Sequence, residues 1–433
     1  MQPTSTAAPA RSEAAIPHLL LVCPRSDVLA KFIGLPIAFT IVHRPGGDRA
    51  LESSVALRVV DADFTDTAEL LAVAREIHAW RPLDAVLGLT ELSLLPVSAV
   101  ASELGVRGNA TSTLRYTQDK AAMRRLLAER GISTTAHRVC AGIEDAERFL
   151  RGCPTGMILK PVNGNGGTGV FLVRDPAELA AGWAWSTGST GAWGWSADAS
   201  PVVVLAEEFL TGREFSVETL SAEGKHSVLA VTRKHTSGAP HFVELGHELP
   251  AELADHEYLA VTAAVLGALD AIGYTWGPGH TEVMLAEDGS TATVIEINAR
   301  HGGDQIWELV ELATGVDMLS GAVTTLAFGE TPAERTGPDR GAAIRYLTAQ
   351  PGRVSSVAGL ADALAVDGVI RASELCGPGD VVKPLGDSWN RIGYVLAAGP
   401  DTRSARQAAD AAAARITVRT APGEAGEVAD DEG

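Results

Sequence analysis

"TVIEINARHGG", residues 293–303, places Glu296, Asn298 and Arg300 at every second position. Strand side chains alternate between two faces. An acid, an amide and a guanidinium therefore share one face, while Val294, Ile295 and Ile297 fill the strand around them. Just upstream, "GHTEVMLAEDGSTATVIEIN" (279–298) reads as a hairpin, with alternating apolar runs around Asp-Gly. A three-residue loop of Asp288, Gly289 and Ser290 would set Glu282 directly across from Glu296. A one-residue slip would flip the face, so the expectation hangs on loop length. The plainer reading of Glu296 and Arg300 is a surface ion pair, and the apolar "VIEI" around the acid argues against it.

Outward from the hairpin, the chain alternates strand and helix. "HLLLVCP" (18–24), "SSVALRVVDAD" (53–63) and "DAVLGLT" (84–90) read as strands, with "TAELLAVAREIHAW" (67–80) at helical spacing. This predicts a parallel α/β unit over 17–112. "TQDKAAMRRLLAERG" (117–131) predicts a helix capped by Asp119 or Thr117 and stopped by Gly131. "PVVVLAEEFLTGREFSVETLS" (201–221) reads as strand, loop, strand, and "YLAVTAAVLGALDAIG" (258–273) as a helix. "WAWSTGSTGAWGWSADAS" (183–200) reads as a Trp-bearing surface loop. Beyond 330 come "AAIRYLTA", "RIGYVLAAG" and an Ala-rich helix over 403–415.

Composition bounds the function. The chain has 433 residues, 46% apolar, with a formal net charge of −19. That charge argues against general binding of nucleic acid or anionic membranes, and any anionic ligand must meet a local basic cluster. No apolar run reaches the ~18 residues of a membrane helix. Cys23, Cys140, Cys153 and Cys376 stand apart with no CxxC pair, as buried free thiols in a reducing compartment would. The expectation is a cytoplasmic protein, with a disordered start (1–16) and an acidic disordered tail (421–433).

"GNGGTG" (164–169) matches GxGxxG. A dinucleotide-binding turn should open a helix within the first βαβ unit. Here "VFLV" follows, another strand, so a hairpin tip whose backbone amides cover phosphates fits better. Lys160, just before it on an apolar strand, argues against an ordinary flexible loop. The GK[ST] ending of a Walker loop is absent.

Taken in order, Lys120 opening a helix, Lys160 before a glycine loop, "EEFLTGREFSVE" (207–218), Glu282 on one hairpin strand and "EINAR" on the other resemble the ATP-grasp superfamily of carboxylate–amine ligases. The resemblance spans nearly the whole chain. It implies an α/β (α+β) ATP-grasp fold: an N-terminal pre-ATP-grasp domain (17–112), an ATP-grasp domain (113–330, with its glycine-loop subdomain over about 135–212) and a C-terminal lid-like subdomain (331–420). It further implies roles. Lys120 and Lys160 match the lysines on ATP phosphates. Gly164, Gly166, Gly167, Thr168 and Gly169 match the loop over them. Glu207, Glu208, Phe209 and Leu210 match the adenine hinge, acting largely through backbone groups, and Glu214 the residue near the ribose. Glu282, Glu296 and Asn298 match ligands of two magnesium ions, with manganese as a substitute. Arg300 matches the arginine at the reacting centre, with Lys160 as the second catalytic group.

Within that superfamily, biotin carboxylases continue past the arginine with Val-Glu-His, whereas this chain continues "HGGDQIWELVELATGVD". "FVELGHELP" (242–250), "GPGHTEV" (277–283) and "EINARHGGD" (296–304) look like the L-amino-acid ligases, the dipeptide synthases of secondary-metabolite pathways. That likeness puts Glu244, His247, Arg300, Gly302 and Gly303 beside the substrate. His280 reads equally as a packed core histidine, and His301 similarly. Arg233 and Lys234 read as anion-facing groups or as solvated strand-end charges. The implied reaction joins an amino acid to an amine through an acyl phosphate with release of ADP and phosphate. Another ATP-grasp ligase or a carboxylase is the alternative. The implied partners are small molecules, with neither nucleic acid nor membrane, and a homodimer is allowed.

Overall fold

The computed structural model describes residues 16–45, 52–189, 202–330 and 340–421. The two expected disordered termini fall almost wholly outside these residues, as does the Trp-rich stretch from 190 onward.

β1 (His18–Val22), β2 (Ala38–His43), β3 (Arg58–Asp61) and β4 (Ala85–Gly88) form a parallel sheet in the order β3-β2-β1-β4. The strand expected over 53–63 is shorter: Glu52–Val55 is a helical turn, and only Arg58–Asp61 pairs with β2. The helix Thr67–Trp80 has the expected limits, with Asp66 accepting from the amides of Ala68 and Glu69.

β5 (His137–Cys140), β6 (Met157–Pro161), β7 (Phe171–Val173) and β8 (Val204–Glu208) form a second sheet, ordered β5-β8-β6-β7, with the glycine loop between β6 and β7. The central antiparallel sheet begins with β9 (Arg213–Ala222), β10 (Lys225–Thr236), β11 (Glu244–Leu249), β12 (Gly277–Leu285), β13 (Ala292–Asn298) and β14 (Gly341–Leu347). After it come β15 (Gly352–Ala358), β16 (Val369–Glu374), β17 (Val381–Val382), β18 (Gly393–Gly399) and β19 (Thr417–Ala421). β14, β18 and β16 extend the central sheet, whose order is β13-β12-β9-β10-β11-β14-β18-β16, and β17-β15-β19 make a small sheet beside it.

Two helices, Ile306–Thr314 and Met318–Phe328, fill the space between the parallel and central sheets, where Leu19, Phe39, Leu309, Leu319, Leu220 and Ile344 form one core. On the far side of β9, β12 and β13, the helices Asp255–Ile272 and Lys120–Glu129 build a second core around Phe215, Val265 and Val294. No single described helix is long and apolar enough to cross a membrane. All four cysteines are free thiols, and burial pushes Cys23 and Cys140 up to about 11, away from reactivity.

Two expectations change. The helix expected over 117–131 is two helices, Thr111–Gln118 and Lys120–Glu129, broken at Asp119. Asp119 caps the second by accepting from the amide of Ala122 at 2.8 Å, while the Thr117 hydroxyl donates back to Leu114 O. Trp183 and Trp185 lie not on a loop but on the helix Leu179–Thr187.

Candidate active site

Glu282 does stand opposite Glu296, but the turn is not the reason. Ala286 N donates to Thr291 O at 2.9 Å, so the loop is Glu287–Ser290, one residue longer than expected. Carried straight along the ladder, that loop would set Glu282 against Ile295. The register instead shifts between Glu282 and Val283: Val283 pairs with Val294 and Glu282 with Glu296, leaving Ile295 as the extra residue of a β-bulge. Arg124, 2% exposed on the helix Lys120–Glu129, holds that bulge. Its guanidinium donates to Val294 O and, at 3.2 Å, to Ile295 O. Its other N–H groups grip Glu207 of β8 at 2.7 and 3.0 Å.

The polar face of β13 is then a set of separate pairs, not the Glu296–Arg300 surface ion pair. Glu296 Oε1 lies 3.3 Å from Lys120 Nζ, which also donates to Gly164 O at 2.7 Å. Asn298 is buried, and its Oδ1 has no hydrogen-bond partner among the described residues. Buried polar atoms are normally satisfied, so this one is free to take a water, an ion or a ligand. Arg300 Nε reaches Glu91 Oε2 at 2.6 Å, from the carboxyl end of β4, and its Nη1 reaches His301 O.

Neither reading of Lys234 survives. It is buried, and its ammonium touches Glu214 at 2.6 Å, Glu282 at 2.7 Å and Glu244 at 2.8 Å. Burial opposes its charge, yet the three carboxylates outweigh that and raise its pKa well above the usual lysine value. Glu214, expected near a ribose, is thus already bound to a cation. Its neighbour Arg233 faces away, stacked on Phe215 at 5.0 Å. His280 is a packed, buried histidine held by carboxylates: Nδ1 lies 3.0 Å from Glu218 and Nε2 3.4 Å from Glu282. Burial disfavours its charge, but the two carboxylates prevail and raise it to about 10.

Glu207, expected at the adenine hinge through its backbone, has its side chain buried on β8. Its backbone lies between β5 and β6, and its side chain is shared by Arg124 and, at 2.8 Å, Lys160 Nζ. Burial would raise this carboxyl, but Arg124 and Lys160 reverse that and hold it at about 2. Arg124 takes both oxygens, so Lys160 keeps only one contact here, and burial pushes its own pKa down. Glu208, Phe209 and Leu210 do line an open cleft of about 310 Å³ with Met284 and Thr293. The N–H of Phe209 is already taken by Gly156 O, while its C=O accepts from the Thr155 hydroxyl and keeps a second lone pair. Above Lys160 the loop turns through Gly166, Gly167 and Gly169 at φ of 60, 73 and 76°, values that favour glycine. Thr168 Oγ1 is buried there with no partner among the described residues.

Past Arg300, a Cβ on Gly302 would come within 2.8 Å of His280 Nδ1, whereas Gly303 faces open space. His301 Nδ1 contacts Gly302 O at 2.8 Å, and burial, reinforced by Arg300, lowers its pKa to about 4. His247 is fully buried with Nε2 2.9 Å from Asp304. Glu244, His247 and Asp304 approach within 4.8 Å of one another, a spacing a metal would accept. However, Arg391 holds both oxygens of Asp304 at 2.7 Å and Lys234 sits on Glu244, so charge is balanced without an ion. Sequence reasoning missed Glu91, Arg124, Asp304 and Arg391. Asp304 lay within the quoted "HGGD". The other three are joined to the site only by folding, from 209, 170 and 87 residues away.

Comparison with known proteins agrees with this architecture. Residues 153–308 match the ATP-grasp domain and residues 345–421 the L-amino acid ligase C-terminal domain 2. The uncharacterized protein y4rH of Sinorhizobium fredii is 30% identical over 362 residues, covering 83% of this chain and 73% of that protein. An alanine–anticapsin ligase of Bacillus subtilis is 25% identical over 57% of this chain and 55% of its own length. The crystal structure of an L-amino acid ligase from Bacillus licheniformis superposes with a TM-score of 0.77 at 24% identity, covering 94% of this chain and 99% of that one. The chain belongs to the ATP-grasp superfamily of ADP-forming carbon–nitrogen ligases, on the side of the L-amino acid ligases.

Proposed function

We propose that this protein activates the carboxylate of an amino acid with ATP and joins it to a second amine, forming an amide and releasing ADP and phosphate. One observation carries the reading: Glu282, Glu296 and the unpartnered Asn298 Oδ1 converge beside Lys120, at a hairpin whose end bears Arg300.

The donor set fits magnesium or manganese. It offers three hard oxygen ligands. The described contacts of Glu282 and Glu296 all fall on Oε1, and Asn298 Oδ1 is vacant. Bound there, two such ions would offset charge on the β- and γ-phosphates.

The chain's own groups divide the rest. Lys120 and Lys160 donate to phosphate oxygens, and the glycine-loop amides cover them. Glu208, Phe209, Leu210 and Met284 border the cleft that takes adenine, with Glu214, paired with Met284 on the neighbouring strand, toward the ribose. Arg300, held through Nε by Glu91 and through Nη1 by His301 O, turns its Nη2 group to the substrate carboxylate. That carboxylate oxygen attacks the γ-phosphorus, the bond to the bridging oxygen breaks, and ADP leaves. The amine nitrogen then attacks the acyl carbon, Arg300 offsets charge on the tetrahedral oxyanion, phosphate departs and the nitrogen loses a proton. Glu244, His247, Gly302 and Gly303 bound the amino-acid side. The closed glycine loop keeps water from the acyl phosphate.

A matrix of amino-acid pairs, assayed for ADP and phosphate with mass spectrometry of products, tests the reading. The expected result is ADP formation dependent on an amino acid, with an amide product. Preference for NAD(P) over Mg–ATP, or ADP formation indifferent to every amino acid, would overturn it.

A further inference from the structure

The glycine loop has two anchors from different parts of the chain. Gly169 O accepts from the Ser186 hydroxyl at 2.7 Å, within the loop's own subdomain. Gly166 O accepts from Ser388 N at 3.1 Å, and that donor lies in the C-terminal segment, in the 3₁₀ turn Ser388–Asn390. The Trp389 indole closes over the same glycine: a Cβ on Gly166 would meet Nε1 at 3.0 Å. Alongside, Gly386 packs so tightly on Trp185 that a Cβ there would lie 2.4 Å from the ring.

The turn is in turn bolted to the acidic wall beside Arg300. Ser388 Oγ donates to Glu244 Oε2 at 3.4 Å. Arg391 Nε donates to Ser388 O at 2.7 Å, Nη1 to Glu244 O at 3.2 Å, and both Nη groups to Asp304. Its guanidinium stacks on Tyr346 at 3.6 Å. At the loop's other end, Gly164 O is held by Lys120, which reaches Glu296. One continuous set of contacts thus runs from Asp304 and Glu244 through Arg391 and Ser388 to the loop.

We propose that Ser388 and Trp389 are positioning residues for phosphoryl transfer: their turn is the seat on which the glycine loop closes, so that the loop's position depends on the amino-acid wall. This assigns the C-terminal segment a part in the reaction and rests on the ligase reading for its consequence. An occupied wall orders Arg391 and the turn, the loop closes on them, and the acyl phosphate is kept from water until the amine arrives.

Ser388→Pro isolates the latch. Ser388 is the first residue of its turn, and Asp387 is extended at φ −153°, ψ 177°, both compatible with proline. Ser388→Ala removes the hydroxyl and keeps the N–H. Amide exchange of the peptide 162–171 is followed by mass spectrometry with a non-hydrolysable ATP analogue and magnesium. Losing the bond should speed exchange about fivefold in Ser388→Pro. Ser388→Ala should match wild type, and β14 and β18 should exchange unchanged in both. Trp389→Ala provides an independent increase that needs no proline. Wild-type loop exchange in both Ser388→Pro and Trp389→Ala would overturn the proposal. With an active amino-acid pair, Ser388→Pro should also yield more ADP than amide. Because the exchange measurement needs no turnover, a wild type inactive on all pairs would remove the proposed function and leave the latch still tested.

Discussion

Arg124→Met should be far more damaging than its distance from any ligand suggests. The side chain is 2% exposed and serves three elements at once: its own helix, Glu207 of β8, and the Val294 and Ile295 carbonyls at the bulge of β13. Methionine fills similar volume but strands a buried carboxylate with only Lys160 and leaves two bulge carbonyls without their donor. Removing one partner of a buried, hydrogen-bonded pair costs about 3–5 kcal/mol. For a folding unit of about 150–250 residues that lowers Tm by roughly 6–20 °C, and by less if the whole chain unfolds as one unit, read by calorimetry. The bulge is what sets Glu296 rather than Ile295 opposite Glu282, so magnesium-dependent ATP binding should weaken as well. Adding Glu207→Gln removes the stranded charge, and the double variant should lose less stability than the two single losses summed. A cost for Arg124→Met below about 1 kcal/mol, the scale of an exposed pair, would refute this account of the network.

Other consequences follow from the same contacts. Glu207 is held at about 2 against an ordinary 4.5, so it contributes about 3 kcal/mol that is present above pH ~4.5 and lost as pH falls toward 2. Urea midpoints compared at mildly and strongly acid pH should show a shallower acid decline in Glu207→Gln than in wild type. Lys234→Met would leave Glu214, Glu244 and Glu282 facing one another without the cation they share, with only His280 left beside Glu282, and a loss of about 3–5 kcal/mol at neutral pH should shrink as these carboxylates protonate. Equal loss at both pH values would argue against the charge account. Glu296→Ala should abolish amino-acid-dependent ADP formation while circular dichroism stays near wild type, because Lys120 keeps its bond to Gly164 O when the ion pair is lost. Retained activity would remove Glu296 from the metal set.

Much of this was legible in one dimension because it is local. The alternation of Glu296, Asn298 and Arg300 follows from strand geometry. The helix Thr67–Trp80 follows from its apolar spacing and Asp66 cap, and the glycine loop from two short strands around residues able to take positive φ. The order of these pieces was enough to indicate the ATP-grasp family. The hairpin shows the limit. Its pairing was expected correctly from a wrong loop length, because a bulge supplied the missing residue. A bulge depends on what satisfies its carbonyls, and here that is an arginine 170 residues upstream.

The charges divide in the same way. Sequence alone established which residue types stand on the polar face of the hairpin and on which strands. It could not establish their partners, since Lys234 looks the same whether solvated or caged by three carboxylates, and Glu207 the same whether its carboxylate is exposed or shared by two cations. Partner choice depends on which strands become neighbours and on how much water burial removes, and a charge cut off from water must find its opposite. Only the tertiary structure decided that Arg300 leans on Glu91, that Asn298 Oδ1 on the polar face of β13 is buried without a partner among the described residues, and that a turn near the C-terminus holds the glycine loop.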